Sequence, residues 1–333
     1  MDLVVATGSH GPDGRDEGRG KRLVQLMHEL SEMPERKAVD ELRLLQTCVY
    51  VFRRNHADLL EFLDFCENDP SNQDLWHMTT IRKTEKTGHE TVRLLHNFVA
   101  SAMSLRDLTI LMHGRLHSDG SFPEYSAEAA RRFKNDPLVQ FVQKLRHYVV
   151  HVKMPSILFK ANLDMDSGHA DIRLGLAKRE LMEWDDWKSV AGRYVEEADD
   201  QILLRAVVQD YEARIRDFYE WYGDKEQSYQ DEALARFREK EAEYFFLAIE
   251  DKLDRYFALP DSSHVVSDRG LFLGLFDESE FERLERLPAP SAARTELALS
   301  LLAEHYDVPA DLEARIRTAY SQAPFFTGTQ QGS

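Results

Sequence analysis

Cysteine is scarce in this chain of 333 residues: Cys48 and Cys66 are the two present, each inside a helical apolar pattern. They provide no disulfide framework and no thiolate cluster for a metal, and they suit a reducing compartment. No apolar run approaches the ~20 residues that a membrane span needs. The start, Met1-Asp-Leu-Val-Val-Ala, lacks the basic region and the apolar length of a signal peptide. A cytoplasmic protein with no membrane partner is expected. A Gly-rich phosphate loop, a serine nucleophile elbow and a Cys–His pair are missing too, and no cofactor is expected. Positive charge is in deficit: 42 Lys and Arg against 59 Asp and Glu leave a net charge of −17. That argues against a general nucleic-acid coat, whose affinity for phosphates comes from accumulated cations.

What is present is enough apolar material for a real core, with 43% hydrophobic and 10% aromatic residues. Most of it recurs at helical spacing. Ala38, Leu42, Leu45, Val49 and Phe52, continued by Leu59, Leu60, Leu63 and Cys66, mark one long helix. Asn68-Asp-Pro-Ser-Asn72 breaks it. Leu95, Phe98, Ala102, Leu105, Leu108 and Met112 mark a second, over about 82–116. A short helix over 127–135, capped by Ser126, comes next. After Pro155 the period changes to two: Ile157, Phe159, Ala161 and Leu163, a turn at Asp166-Ser-Gly168, then Ile172, Leu174 and Leu176. That alternation predicts one β-hairpin, at about 156–177. Helix returns at Glu180–Trp187, then as two long helices, about 199–222 and 230–257.

The expected fold is therefore mainly α with one inserted hairpin. The expected organisation is a disordered tail over 1–20, a helical domain over 21–258 whose first short helix starts at Lys21, a linker over 259–270, a small helical C-terminal extension over 271–320 and a frayed end over 321–333.

Potential chemistry concentrates in Asp136-Pro137 through Arg146-His147-Tyr-Val-Val-His151-Val-Lys153-Met-Pro155. Asp136 as N-cap and Pro137 at the first position start a helix, and Pro155 stops it. Leu138, Phe141, Val142, Leu145, Val149 and Val152 are its expected buried side. The surroundings are locally basic, with Arg131, Arg132, Lys134, Lys144, Arg146, Lys153 and Lys160 against Glu124, Glu128 and Asp136. That imbalance is compatible with a focused anion site. His147 and His151, four apart, share a helix face, and Arg146 lies beside it. A guanidinium can hold a phosphate through two parallel hydrogen bonds, and an imidazole can move a proton near neutral pH. Together they can act on an RNA phosphodiester through its neighbouring 2′-hydroxyl, without a metal.

Arg, four residues, then His, with a polar residue directly after the Arg, resembles the signature of HEPN (higher eukaryotes and prokaryotes nucleotide-binding) domains. Phe141–His151 and Leu95-His-Asn97-Phe-Val-Ala-Ser101 are similar to segments of bacterial proteins with such helical cores. The resemblance covers about 38–155, and more weakly the hairpin and 184–222. It implies an antiparallel helical bundle that dimerises, bringing two Arg–His pairs together in a cleft. It also implies metal-independent RNase activity of the toxin–antitoxin or anti-phage type, with RNA or nucleotide as ligand and an antitoxin-like protein as a further partner. On this resemblance Arg146 is the phosphate ligand and His151 the general acid/base. His147 stands where asparagine is commoner, a departure from the pattern. Asn97, Lys144 and Lys153 are expected to support the site.

Other readings of the same residues remain open. Arg146 can pair with a carboxylate and His151 with a carbonyl at the helix end. The protein is then a non-catalytic, dimeric interaction or regulatory protein. His147 and His151 can also be metal ligands, joined by the i, i+4 pair His113 and His117 if their helices face each other. Trp184 and Trp187 can stack a base or cap the core, and Glu196-Glu197-Ala-Asp199-Asp200 reads as a solvated loop capping the next helix.

Overall fold

The computed structural model describes residues 14–69, 81–163, 170–187, 190–258, 267–289 and 291–322. The break at 70–72, the hairpin turn at 166–168, most of the 259–270 linker and nearly all of the C-terminal end lie outside these. The chain divides into two compact units, one Ala38–Asp231 and the other Met1–Lys37 with Glu232–Ser333. The helical domain expected over 21–258 contributes residues to both units.

The elements in chain order are α1 (Gly14–Glu32), α2 (Arg36–Asn68), α3 (Ile81–Leu116), α4 (Glu124–Phe133) and α5 (Pro137–His151), then β1 (Ile157–Leu163) and β2 (Ala170–Ala177). After these come α6 (Lys178–Leu181), a 3-10 turn at Asp185–Trp187, α7 (Val190–Glu197), β3 (Gln201–Leu203) and α8 (Leu204–Ala258). The chain continues with α9 (Asp268–Phe272), α10 (Glu278–Glu285), α11 (Ala292–His305) and α12 (Ala310–Gln322). The protein is mainly α-helical with an inserted antiparallel hairpin, as the periodicity implies.

Several details differ from the sequence reading. Helix α1 begins at Gly14, inside the expected tail, because Arg19 and Arg22 reach carboxylates of α8: Asp254 and Glu243. The two long helices expected over 199–257 are one continuous helix, α8. No helix breaker lies between Tyr222 and Gln230, and Gly223 alone costs only about 1 kcal/mol against alanine. Helix α4 starts at Glu124 after Pro123, with no side-chain cap, so Ser126 lies inside it. The helix expected over 180–187 is a single turn, α6, followed by the 3-10 turn.

The core of the 38–231 unit is built where the periodic stripes meet. Phe52 of α2, Phe98 of α3 and Tyr211 of α8 form a triangle of rings, with centroids 5.8–6.2 Å apart. β1 and β2 pair with Phe159 opposite Leu174 and Ala161 opposite Ile172. The alternation holds: Ile172, Leu174 and Leu176 are buried. A third strand, β3, pairs with β2, setting Leu203 opposite Gly175. A Cβ on Gly175 would lie 2.8 Å from the Ile202 carbonyl oxygen, so this crossing requires glycine.

Glu67, at the end of α2, is buried among these elements. It accepts the Leu174 N–H of β2 at 3.1 Å and Arg205 Nε of α8 at 2.7 Å. Arg173 stands 3.5 Å away. One carboxylate thus joins a helix, a strand and a second helix.

The other unit packs Ile249, Leu253 and Tyr256 of α8 against apolar side chains of α9–α12, among them Phe272, Leu284, Leu302 and Ile316. Its polar centre is Asp268, which accepts from Arg294 Nε at 2.8 Å and from the Tyr320 hydroxyl. Asp277 with Glu280 forms a capping box on α10.

Two measurements check the 38–231 core. Glu67→Ala strands the Leu174 N–H and Arg205, and is expected to lower unfolding stability by about 3 kcal/mol in urea denaturation. Burial, together with Glu67, pushes the Cys66 thiol up to about 12. Native protein at pH 8 is therefore expected to leave Cys66 unlabelled by a thiol reagent until it is unfolded.

Candidate functional site

The helix carrying the Arg–His signature forms as its sequence dictates. Asp136 accepts the Val139 N–H at 3.0 Å, Pro137 opens the first turn, and the other Asp136 oxygen takes Arg214 Nε at 2.7 Å. Phe141, Val142, Leu145, Tyr148 and Val149 are buried, facing α3 and α7, on which α5 packs. Those side chains set the helix's rotation. Arg146, His147, Val150 and His151 are exposed as a consequence. Val152, expected inside, is exposed because α5 has ended: the Val152 and Lys153 N–H groups both close on the Tyr148 carbonyl, at 2.9 and 3.1 Å.

His147 and His151 come together, their ring centroids 4.7 Å apart. Arg146 and Val150 occupy the adjacent i, i+4 row of the helix surface. Among the described residues the Arg146 side chain forms no ion pair, and neither histidine meets a carboxylate. Lys144 and Lys153 are already engaged: Lys144 with Asp186 at 2.5 Å, Lys153 with Glu183 at 3.3 Å and Glu180 at 3.4 Å. Asn97 is half-buried on α3, with no hydrogen bond to His151.

Trp184 is a part of this surface that sequence spacing did not connect to it. Its ring stacks on His147 at 5.7 Å and 15°, and Lys144 Nζ lies 5.6 Å from its centroid. Behind it, Trp187 is buried and donates from Nε1 to the Leu181 carbonyl at 2.6 Å. The two tryptophans thus cap the core and hold His147 from one side. A shallow groove of about 500 Å³ begins just past His151, lined by Met154, Pro155, Phe159, His89 and Glu85.

The four-histidine arrangement is not formed. Among the described residues the one group able to hold a metal is His113, His117 and Glu226, whose ligand atoms lie within 4.8 Å of one another. His113 lies in the last turn of α3 and His117 just past its end, its N–H bonded to the His113 carbonyl at 2.9 Å, and Glu226 comes from α8. His117 Nε2 lies 2.8 Å from Glu226 Oε1, and its Nδ1 2.8 Å from Ser121 Oγ. Burial and the neighbouring His117 push the His113 imidazole below the ordinary histidine range. Glu226 escaped sequence reading because it stands in an ordinary charged helical stretch, Asp224-Lys225-Glu226. Nothing local marks it as buried.

The acidic run 196–200 is exposed, as expected, but it does not cap α8, since β3 intervenes. Asp200 pairs with Lys160 at 3.2 Å. Lys178 Nζ donates to the Glu196 and Ala198 carbonyls at 2.5 and 2.7 Å.

Comparison with known protein families, with curated proteins and with solved structures finds no match to the chain.

Gly192 of α7 abuts the backbone that carries Trp187: a Cβ there would stand 2.4 Å from the Trp187 carbonyl oxygen. Gly192→Ala is expected to destabilise by about 2 kcal/mol in denaturant unfolding, through forced overpacking. The near-UV circular dichroism of the tryptophans should change with it.

Proposed function

We propose that the exposed end of α5 binds an RNA phosphodiester and cleaves it without a metal ion. The observation that carries this reading is the exposure of Arg146, His147 and His151 on one helix end with no carboxylate partner among the described residues. In a chain of net charge −17, a guanidinium and two imidazoles left clear of acids are available to an outside anion.

In this reading Arg146 holds two non-bridging phosphate oxygens. His151 takes the proton of the 2′-hydroxyl, whose oxygen attacks phosphorus. The bond from phosphorus to the 5′-oxygen breaks, and a protonated imidazole of the histidine set returns a proton to that oxygen. The products are a 2′,3′-cyclic phosphate and a 5′-hydroxyl. Trp184 keeps His147 oriented, and Lys144 and Lys153 add positive potential at the rim. A second copy supplies a second Arg–His set, with Val150, Val152 and Met154 as apolar contacts at the same helix end. Such an activity fits a toxin or defence role, held in check by a protein partner.

Those exposed apolar side chains, at 43%, 45% and 54%, also favour a second reading: a dimeric interaction protein in which α5 is only the seam. Cleavage of 5′-labelled RNA in EDTA separates the two. Arg146→Ala and His151→Ala are each expected to slow cleavage at least about 100-fold and to leave the fold intact. A wild type inactive on varied RNAs, whose dimer is broken by Val150→Asp, would establish the second reading instead.

A further inference from the structure

We propose that His113, His117 and Glu226 form a binding site for one zinc-class divalent ion, which ties the end of α3 to α8.

The Glu226 side chain is 1% exposed, and among the described residues no Lys or Arg pairs with it; its partner is His117, also 1% exposed. A buried carboxylate needs a cation or a set of N–H donors beside it. The side chain facing it is His117. Its two nitrogens are both committed, Nδ1 to Ser121 Oγ and Nε2 to both Glu226 oxygens, at 2.8 and 3.0 Å. With the proton on Nδ1 and directed at Ser121, the Nε2 lone pair faces the carboxylate, and a cation fits between them. The Ser121 contact then does what the outer partners of metal-bound histidines do, fixing the tautomer and the ring plane.

A proton satisfies His117 and Glu226 but leaves His113 unexplained. The Nδ1 of His113 is buried and has no hydrogen-bond partner. Its ring stacks on Tyr125 at 3.9 Å and 23°. A second imidazole with an unpartnered buried nitrogen, next to the imidazole–carboxylate pair, completes a nitrogen, nitrogen, oxygen donor set. Two histidines at i, i+4 with a carboxylate from a second element is a donor set zinc accepts, its fourth position left for water. A tetrahedral ion with bonds of about 2.0–2.1 Å needs donors about 3.4 Å apart. The donors here lie within 4.8 Å, so ring rotations draw them in and open the His117–Glu226 contact slightly. Phe122, Tyr222 and Tyr229 wall the site with aromatic rings, keeping its dielectric low and the ion–carboxylate attraction strong. His147 and His151 take no part in this group, and the ion's role is to join two helices.

The test uses the full chain, stripped with a chelator, dialysed, and titrated with zinc chloride at neutral pH by calorimetry. One ion per chain is expected to bind, and the melting temperature to rise with zinc. His113→Gln and Glu226→Gln should each weaken binding at least tenfold, whereas His147→Gln with His151→Gln should leave it unchanged. Cobalt(II) gives a readout that needs no variant: the visible bands of a four-coordinate ion should appear at one equivalent. An absence of stoichiometric zinc binding together with six-coordinate cobalt spectra overturns the proposal. So does equal affinity in a His113→Gln protein whose circular dichroism matches the wild type.

Discussion

A carboxylate taken out of water must find a cation or a set of N–H donors, and in a chain with a net charge of −17 this requirement organises much of the interior. Glu67 meets it with the Leu174 N–H and Arg205, and so fixes where α2, β2 and α8 join. Asp268 meets it with Arg294 and the Tyr320 hydroxyl in the other unit. Glu226 stands against His117, its Oε1 2.8 Å from Nε2. Each arrangement joins residues more than twenty positions apart in the chain. Apolar burial supplies most of the driving force but is non-directional. The buried charges add direction, because only one mutual placement of the elements satisfies them.

The same logic in reverse accounts for the end of α5. Cations there are not consumed by the interior: the apolar face from Leu138 to Val149 sets the helix's rotation and turns Arg146 and both histidines outward. Lys144 and Lys153, by contrast, are taken up by Asp186, Glu180 and Glu183. Basic side chains only a few residues apart thus play different parts. The difference comes from α6 and the turn after it, which bring acids and Trp184 to one flank of the helix and leave the Arg146 row clear.

Helix positions were legible in the sequence wherever an apolar stripe ran for several turns. Most of the α2 stripe from Leu45 to Cys66 and of the α3 stripe from Leu95 to Met112 is buried as the spacing implies, with Val49, Leu60 and Leu108 half-buried. The Asp136 cap behaves as its residue type predicts. Legibility failed where the signal was short or distant. β3 is three residues long, too brief for an alternating pattern, and it forms because Gly175 lets its backbone approach β2. The merging of two expected helices into α8 reflects a stretch of good helix formers that carries no clear apolar stripe.

By itself the sequence determined the mainly helical class, the hairpin, the start of α5 and the candidate residues Arg146, His147 and His151. All of these depend on residues within a few turns of one another, where backbone geometry links spacing directly to a shared face. Only the tertiary structure decided that Trp184 stacks on His147, that Glu67 is the junction of three elements, and that Glu226 of α8 meets His113 and His117 at the end of α3. Burial of a charged residue is set by what packs over it. That covering comes from segments over a hundred positions away, which no local pattern encodes.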